Sequence, residues 1–265
     1  MCRLVEYVGP PVPLSAVLLE PPHSLLHQSY RPREMLSGTV NADGFGIAWY
    51  PKAGEAPCLY TSTLPIWADE NLARLAPRFR AEALSAAVRS ATPGMPFGPE
   101  ACQPFVHGRL AFNHNGFVAD FARSTMRRLR ESLSDDLYAE LRGSTDSEHL
   151  FVLFLQCLRE GGDEPSDMAR ALARTFELVS SCSRDGAVEI QFTCAATDGR
   201  VLLGARLSNR ETAPTLYVCT SHPRFPGGSF LASEPLDQDG DWRAVPPGHL
   251  VVVEEGVART HPAFA

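Results

Sequence analysis

The chain has 265 residues, enough for a substantial core in one large domain or two small ones, and its 44% hydrophobic and 21% charged residues exclude wholesale disorder. A formal charge of −7, with no Lys/Arg run to neutralise phosphates, argues against nucleic-acid binding, and no apolar stretch approaches the roughly 18–20 residues of a membrane span. There is no signal-peptide pattern, and seven irregularly spaced cysteines without a C-x-x-C pair speak against a disulfide framework or cysteine zinc site, so a reduced, cytoplasmic protein is expected.

In chain order, Cys2 to Val8 predicts a strand ended by Gly9-Pro10-Pro11, and Pro13 to Leu19 a short helix stopped by Pro21-Pro22. Strands are expected at Gly44 to Tyr50 and Cys58 to Ser62, then a helix capped by Asp69 and running to about Phe79. Ala83 to Ser90 and Arg109 to Asn115 read as further strands, with an active-site loop over Ala91 to Pro104 between them. The middle third is helical. Ala119 to Leu141 predicts one or two helices, Asp146 to Arg159 a buried one apolar around much of its girth, and Ser166 to Val179 an amphipathic one. Period two then takes over: Val188, Ile190, Phe192 and Cys194 alternate with Glu189, Gln191 and Thr193 as in a half-buried strand. Strands follow at Val201–Leu207, Thr215–Thr220, Phe230–Ala232 and His249–Val253, and one α+β domain spanning 1–265 is expected.

Cys2 becomes the first residue once Met1 is removed, as initiator methionines before small residues generally are. It then carries a nucleophile and a base together. An α-amine titrates near about 8, against about 10 for lysine, and a thiol near about 8.5. The alternative is a small buried residue at the start of a strand. Four other segments bear on that choice. Asn113-His114-Asn115-Gly116 reads either as a hairpin turn or as an oxyanion hole built from the Asn115 amide and the Gly116 N–H. Thr145-Asp146-Ser147-Glu148 is a capping box, and Asp146 could in addition hold a substrate ammonium. Arg89, entering a Gly/Pro loop, is either a surface arginine or a bidentate carboxylate clamp. Asp43-Gly44, within Asn41-Ala42-Asp43-Gly44-Phe45-Gly46, reads as a turn or as a glycine-lined wall that admits a ligand.

Taken in register, Met-Cys-Arg, Asn-Ala-Asp-Gly-Phe-Gly, Val-Arg-Ser-Ala-Thr-Pro-Gly, Asn-His-Asn-Gly and Thr-Asp-Ser-Glu resemble the class II glutamine amidotransferase family of N-terminal-nucleophile hydrolases. Gly9-Pro10-Pro11, the segment Glu20 to Leu26, Gln28-Ser29-Tyr30, Ala232-Ser233-Glu234-Pro235-Leu236 and Val245 to His249 look like one branch of it: the ergothioneine-biosynthesis amidohydrolases acting on γ-glutamyl-hercynylcysteine sulfoxide. The resemblance implies a four-layer αββα sandwich with Cys2 at the end of an inner strand. It implies Cys2 as nucleophile, Asn115 and Gly116 as oxyanion donors, Arg89 on the glutamyl α-carboxylate and Asp146 on its α-ammonium, with Asp43 and Gly44 lining the substrate.

The expected partner is a small γ-glutamyl substrate, with no cofactor, no metal, no nucleic acid and no membrane, and a homo-oligomer is compatible with it. Two alternatives stay open: a stand-alone glutaminase passing ammonia to a separate synthase, and a non-catalytic sensor of a γ-glutamyl metabolite. For a quaternary ammonium on the leaving group, Tyr30, Phe45, Trp49, Phe105 and His107 are candidates by their proximity to the motifs. His23 and His27 have helical i,i+4 spacing but no evident third metal ligand.

Overall fold

The computed structural model describes residues 1–91, 98–162, 164–182 and 188–264. Among them the strands are β1 (Arg3–Pro13), β2 (Phe45–Tyr50), β3 (Cys58–Ser62), β4 (Arg80–Val88), β5 (Phe105–His107), β6 (Leu110–Val118), β7 (Ile190–Thr197), β8 (Leu202–Ser208), β9 (Tyr217–Cys219), β10 (Ser229–Ala232), β11 (Arg243–Ala244), β12 (His249–Glu254) and β13 (Val257–Pro262). The helices are α1 (Leu14–Leu18), α2 (Leu25–Tyr30), α3 (Glu70–Leu75), α4 (Phe121–Ser124), α5 (Met126–Glu131), α6 (Asp135–Tyr138), α7 (Asp146–Gly161) and α8 (Pro165–Cys182).

The strands form two antiparallel sheets, ordered β11-β9-β10-β1-β4-β2-β3 and β13-β12-β8-β7-β6-β5. Val17, Leu25 and Leu72 from α1, α2 and α3 pack on Val5, Tyr7 and Phe230 of the first sheet. Leu153, Phe154 and Leu172 from α7 and α8 pack on Phe112, Phe192 and Leu203 of the second. Between the sheets lies a layer rich in small side chains, among them Ala48, Ala83, Ala87, Ala111 and Ala195. Small residues let two sheets approach closely. The result is the expected αββα sandwich of N-terminal-nucleophile type. Among the described residues no helix is long and apolar enough to cross a membrane.

The all-round apolar character of α7 follows from its place between the second sheet and α8, and Thr145 caps it by accepting from the Glu148 N–H at 3.2 Å. Four expectations are corrected. β1 does not stop at Gly9-Pro10-Pro11: a register shift between Val8 and Val12 leaves those residues outside the ladder, where prolines lose no hydrogen bond, and pairing resumes at Val12–Ala81. The 119–141 stretch forms three short helices, because Asp120 is left-handed and Thr125 and Ser134 leave helical geometry. β7 is buried along its whole length rather than half-buried, since helices cover one face and the first sheet the other. Asn115-Gly116 is no turn. Both residues lie inside β6, opposite Thr193 and Phe192, and the reversal between β5 and β6 falls at Gly108-Arg109. Of the expected 91–104 loop, residues 92–97 lie outside the described residues; a single 3-10 turn, Pro99–Ala101, follows them.

Candidate active site

β1 is an inner strand of its sheet, flanked by β10 and β4, and Cys2 sits immediately before its first residue. By the period of two, Cys2 shares a face with Leu4 and Glu6, which point into the layer between the sheets. Beneath it runs β6. One cavity is lined by Cys2, Arg89, Ser90, Ala91, Ala101, Gln103, Gly116, Thr145, Asp146 and Ser147. Cys2, Arg89, Gly116 and Asp146, from four distant parts of the chain, are thereby brought together.

Asn115 is wholly buried, and neither its amide nitrogen nor its oxygen has a hydrogen-bond partner. A buried amide without partners is costly, and this one belongs to the residue that directly precedes the cavity-lining Gly116, so it points to a polar group that is not part of the chain. Gly116 is required by its surroundings: a Cβ there would meet the Gln191 carbonyl oxygen at 1.9 Å.

Asp146 is held from two sides. Its Oδ2 accepts from the Val118 N–H at 2.9 Å, and its Oδ1 accepts from the Ser147 N–H at 2.8 Å. His114 Nε2 donates to the Gln191 carbonyl at 3.0 Å, leaving Nδ1 to accept from the Ser147 hydroxyl at 2.9 Å. Burial pushes the His114 pKa below the usual imidazole range, which suits this neutral form. The start of α7 is thus locked to β6 through Val118 and His114.

Arg89 is buried, not a surface arginine. Its N–H donates to the Gly44 carbonyl at 2.8 Å and its carbonyl accepts from the Asp43 N–H at 3.0 Å, while Asp43 Oδ2 takes the Ala91 N–H at 2.7 Å. Asp43 and Gly44 therefore do not line the cavity; they brace the strand end that carries Arg89. The glycine-lined wall is corrected likewise. A Cβ on Gly44 would meet Cys102 Sγ at 2.7 Å and the Ser62 carbonyl oxygen at 2.8 Å, so its bare face is covered by the chain's own atoms.

Sequence reasoning missed Gln103, whose side chain lines the cavity and donates to the His114 carbonyl at 3.0 Å. No local pattern marks it. None of the five aromatic and imidazole candidates for the leaving group lines the Cys2 cavity. Phe105 and His107 face a separate cavity of about 360 Å³ between β3, β5 and α7, divided from the first by the 101–104 segment. Phe45 and Trp49 pack in the outer core, and Tyr30 is exposed against Trp67. His23 and His27 do approach, Nδ1 to Nδ1 at 3.1 Å, but His23 turns its other nitrogen to Glu234.

Chemically, the cavity residues include a cysteine, an arginine, an aspartate and Gly116, and the residue before that glycine in β6, Asn115, carries a buried unpartnered amide. The two charges complement the carboxylate and ammonium of a free amino-acid head, and the amide suits a developing oxyanion.

Comparison with known proteins agrees in kind. A family model described as class-II glutamine amidotransferases matches residues 23–226. A probable glutamine amidotransferase of Saccharomyces cerevisiae is 30% identical over 99% of this chain and 84% of its own. A γ-glutamyl-hercynylcysteine sulfoxide hydrolase of Mycolicibacterium smegmatis is 33% identical over 96% of each chain. The solved structure of a glutamine aminotransferase class-II domain protein from Silicibacter pomeroyi superposes with a TM-score of 0.71 at 29% identity, each chain covered in full.

Proposed function

This chain belongs to the class II glutamine amidotransferases and is a hydrolase of amide C–N bonds, and from that premise we propose that it removes glutamate from γ-glutamyl-hercynylcysteine sulfoxide through an N-terminal cysteine. The observation that carries the reading is the convergence of Cys2, Arg89, Gly116 and Asp146 on one cavity, supported by the unpartnered amide of Asn115, the residue before Gly116 in β6.

Removal of Met1 frees the Cys2 α-amine, which takes the thiol proton directly or through one water. The thiolate attacks the γ-carbonyl. Asn115 and the Gly116 N–H stabilise the tetrahedral oxyanion. The ammonium of Cys2 returns its proton to the leaving nitrogen, and water hydrolyses the thioester to release glutamate. Arg89 holds the α-carboxylate and Asp146 the α-ammonium, so that the two opposite charges together favour a free glutamyl head over acyl groups that lack either one.

The test is glutamate release from γ-glutamyl-hercynylcysteine sulfoxide and from glutamine, side by side, with Cys2→Ala as control. Preference for the sulfoxide, lost in the variant, supports the assignment. The 30% identity to a probable glutamine amidotransferase over 99% of the chain favours one second reading, a glutaminase supplying ammonia to a separate partner. Preference for glutamine selects it, and undiminished turnover by Cys2→Ala removes both.

A further inference from the structure

A nucleophile at a chain end lacks the second peptide bond that holds an ordinary strand residue. Once Met1 is gone, the only covalent neighbour of Cys2 is Arg3, and Arg3 is completely buried. Its Nε donates to the Cys2 carbonyl at 2.7 Å, and its Nη1 donates to Glu234 Oε1 at 3.0 Å. Glu234, itself 1% exposed, gathers three further donors: His23 Nε2 at 2.6 Å and the backbone N–H groups of Arg33 at 2.9 Å and Glu34 at 3.1 Å. The last two open the segment whose Ser37 carbonyl, while Met1 is still in place, accepts from the Met1 amine at 3.3 Å. One carboxylate thus ties together the start of β1, the approach to α2 and the loop over the chain start.

We propose that Glu234 is the positioning residue of the nucleophile: acting through Arg3, it fixes the plane of the Cys2–Arg3 peptide, and with it the axis on which the Cys2 amine and thiol are carried, and it balances the Arg3 charge there. This rests on the amidohydrolase reading above. Glu234 touches no reacting atom; what it supplies is orientation. Burial would raise its pKa, but the His23 hydrogen bond, the Arg33 and Glu34 N–H groups and Arg3 together hold it down at about 2, so the carboxylate stays charged at neutral pH. Arg3, Asp43 and Cys102 act electrostatically on residues 1 and 2, and Arg89 and Asp146 share the cavity with Cys2. Of these, only Arg3 has a charge balanced by Glu234. Replacing Glu234 with a neutral residue leaves that cation with Glu34 as its remaining carboxylate neighbour, and the added positive charge beside Cys2 favours the unprotonated amine and the thiolate.

The experiment compares wild type, Glu234→Gln and the double variant Arg3→Met/Glu234→Gln. One readout is the pH dependence of Cys2 alkylation by iodoacetamide, followed by peptide mass spectrometry on chains lacking Met1. The other is kcat and KM for glutamate release. In Glu234→Gln the alkylation midpoint moves to acid by about half a unit or more, and kcat falls about tenfold or more with KM within about threefold, because Arg89 and Asp146 are untouched. In the double variant the unmatched charge is gone, so the midpoint returns while kcat stays low. Should Glu234→Gln fail to fold, the double variant, which removes both buried charges together, carries the kcat-against-KM comparison. A folded Glu234→Gln with unmoved midpoint and kcat overturns the proposal, as does a loss confined to KM. A shifted midpoint in a protein whose wild type releases no glutamate leaves the positioning role standing and removes the amidohydrolase reading.

Discussion

Asn113 Nδ2 donates to Glu6 Oε1 at 2.9 Å across the layer between the two sheets, and Ser85 Oγ donates to the same oxygen at 3.0 Å. The other Glu6 oxygen has no partner, and no cation approaches the carboxyl closely enough to form an ion pair among the described residues. Burial therefore dominates and pushes the Glu6 pKa up to about 8, against the opposing hydrogen bonds.

That shift predicts a stability slope. Below pH about 4.5 Glu6 is neutral in both states. Above it the unfolded chain loses the proton while the folded chain keeps it, so stability falls as pH rises until about 8, where the folded form also ionises. The full loss is on the order of 5 kcal/mol. Urea unfolding between pH 5 and 9 should show a decline that is largely absent in Glu6→Gln. Parallel slopes in the two proteins would refute the assignment.

Asn115→Leu should separate activity from stability. The amide has no partner inside the protein, so losing it costs the fold little, about 1 kcal/mol or less in either direction. Loss of an oxyanion donor lowers kcat by about 10²–10³. Equal falls in kcat and urea midpoint would instead mark Asn115 as structural.

Arg89→Lys should raise KM for the γ-glutamyl substrate about tenfold or more with a smaller effect on kcat, since a point charge replaces a planar fork. Asp146→Asn should do the same and also lower stability by about 1–2 kcal/mol, because Asp146 accepts from the Val118 and Ser147 N–H groups. A kcat effect without a KM effect in either variant would remove it from substrate binding.

Gly116→Ala should be among the most damaging single substitutions. Its Cβ would lie 1.9 Å from the Gln191 carbonyl oxygen, which is backbone and cannot swing away. β6 and β7 must separate locally, at a cost of about 3 kcal/mol or more. A melting temperature like that of wild type would show that the pair relaxes freely.

Much of the fold could be read locally. Cys58–Ser62 has the expected bounds, and the Thr145 cap and the long apolar α7 are where their patterns place them. Each of these rests on interactions within a few residues. The errors came where a local signal met a distant partner. Asn-Gly favours a turn in isolation, but pairing with β7 along its whole length keeps β6 straight through it. The alternation in β7 suggested a wet face, but two layers stack on that strand and dry both sides.

For the site, the sequence by itself determined which chemistry was on offer: a cysteine at position 2, an Asn-Gly pair, an arginine at a strand end and an aspartate at a helix start. Residue type and order along the chain suffice for that. Only the tertiary structure decided which of them share a cavity, that Asp43 and Gly44 brace the strand end carrying Arg89, and that Glu234 reaches Arg3 from 231 residues away. Those outcomes depend on how buried charges and amides find partners across sheets, and the pairing is settled by the packing of whole layers, which no window of neighbouring residues contains.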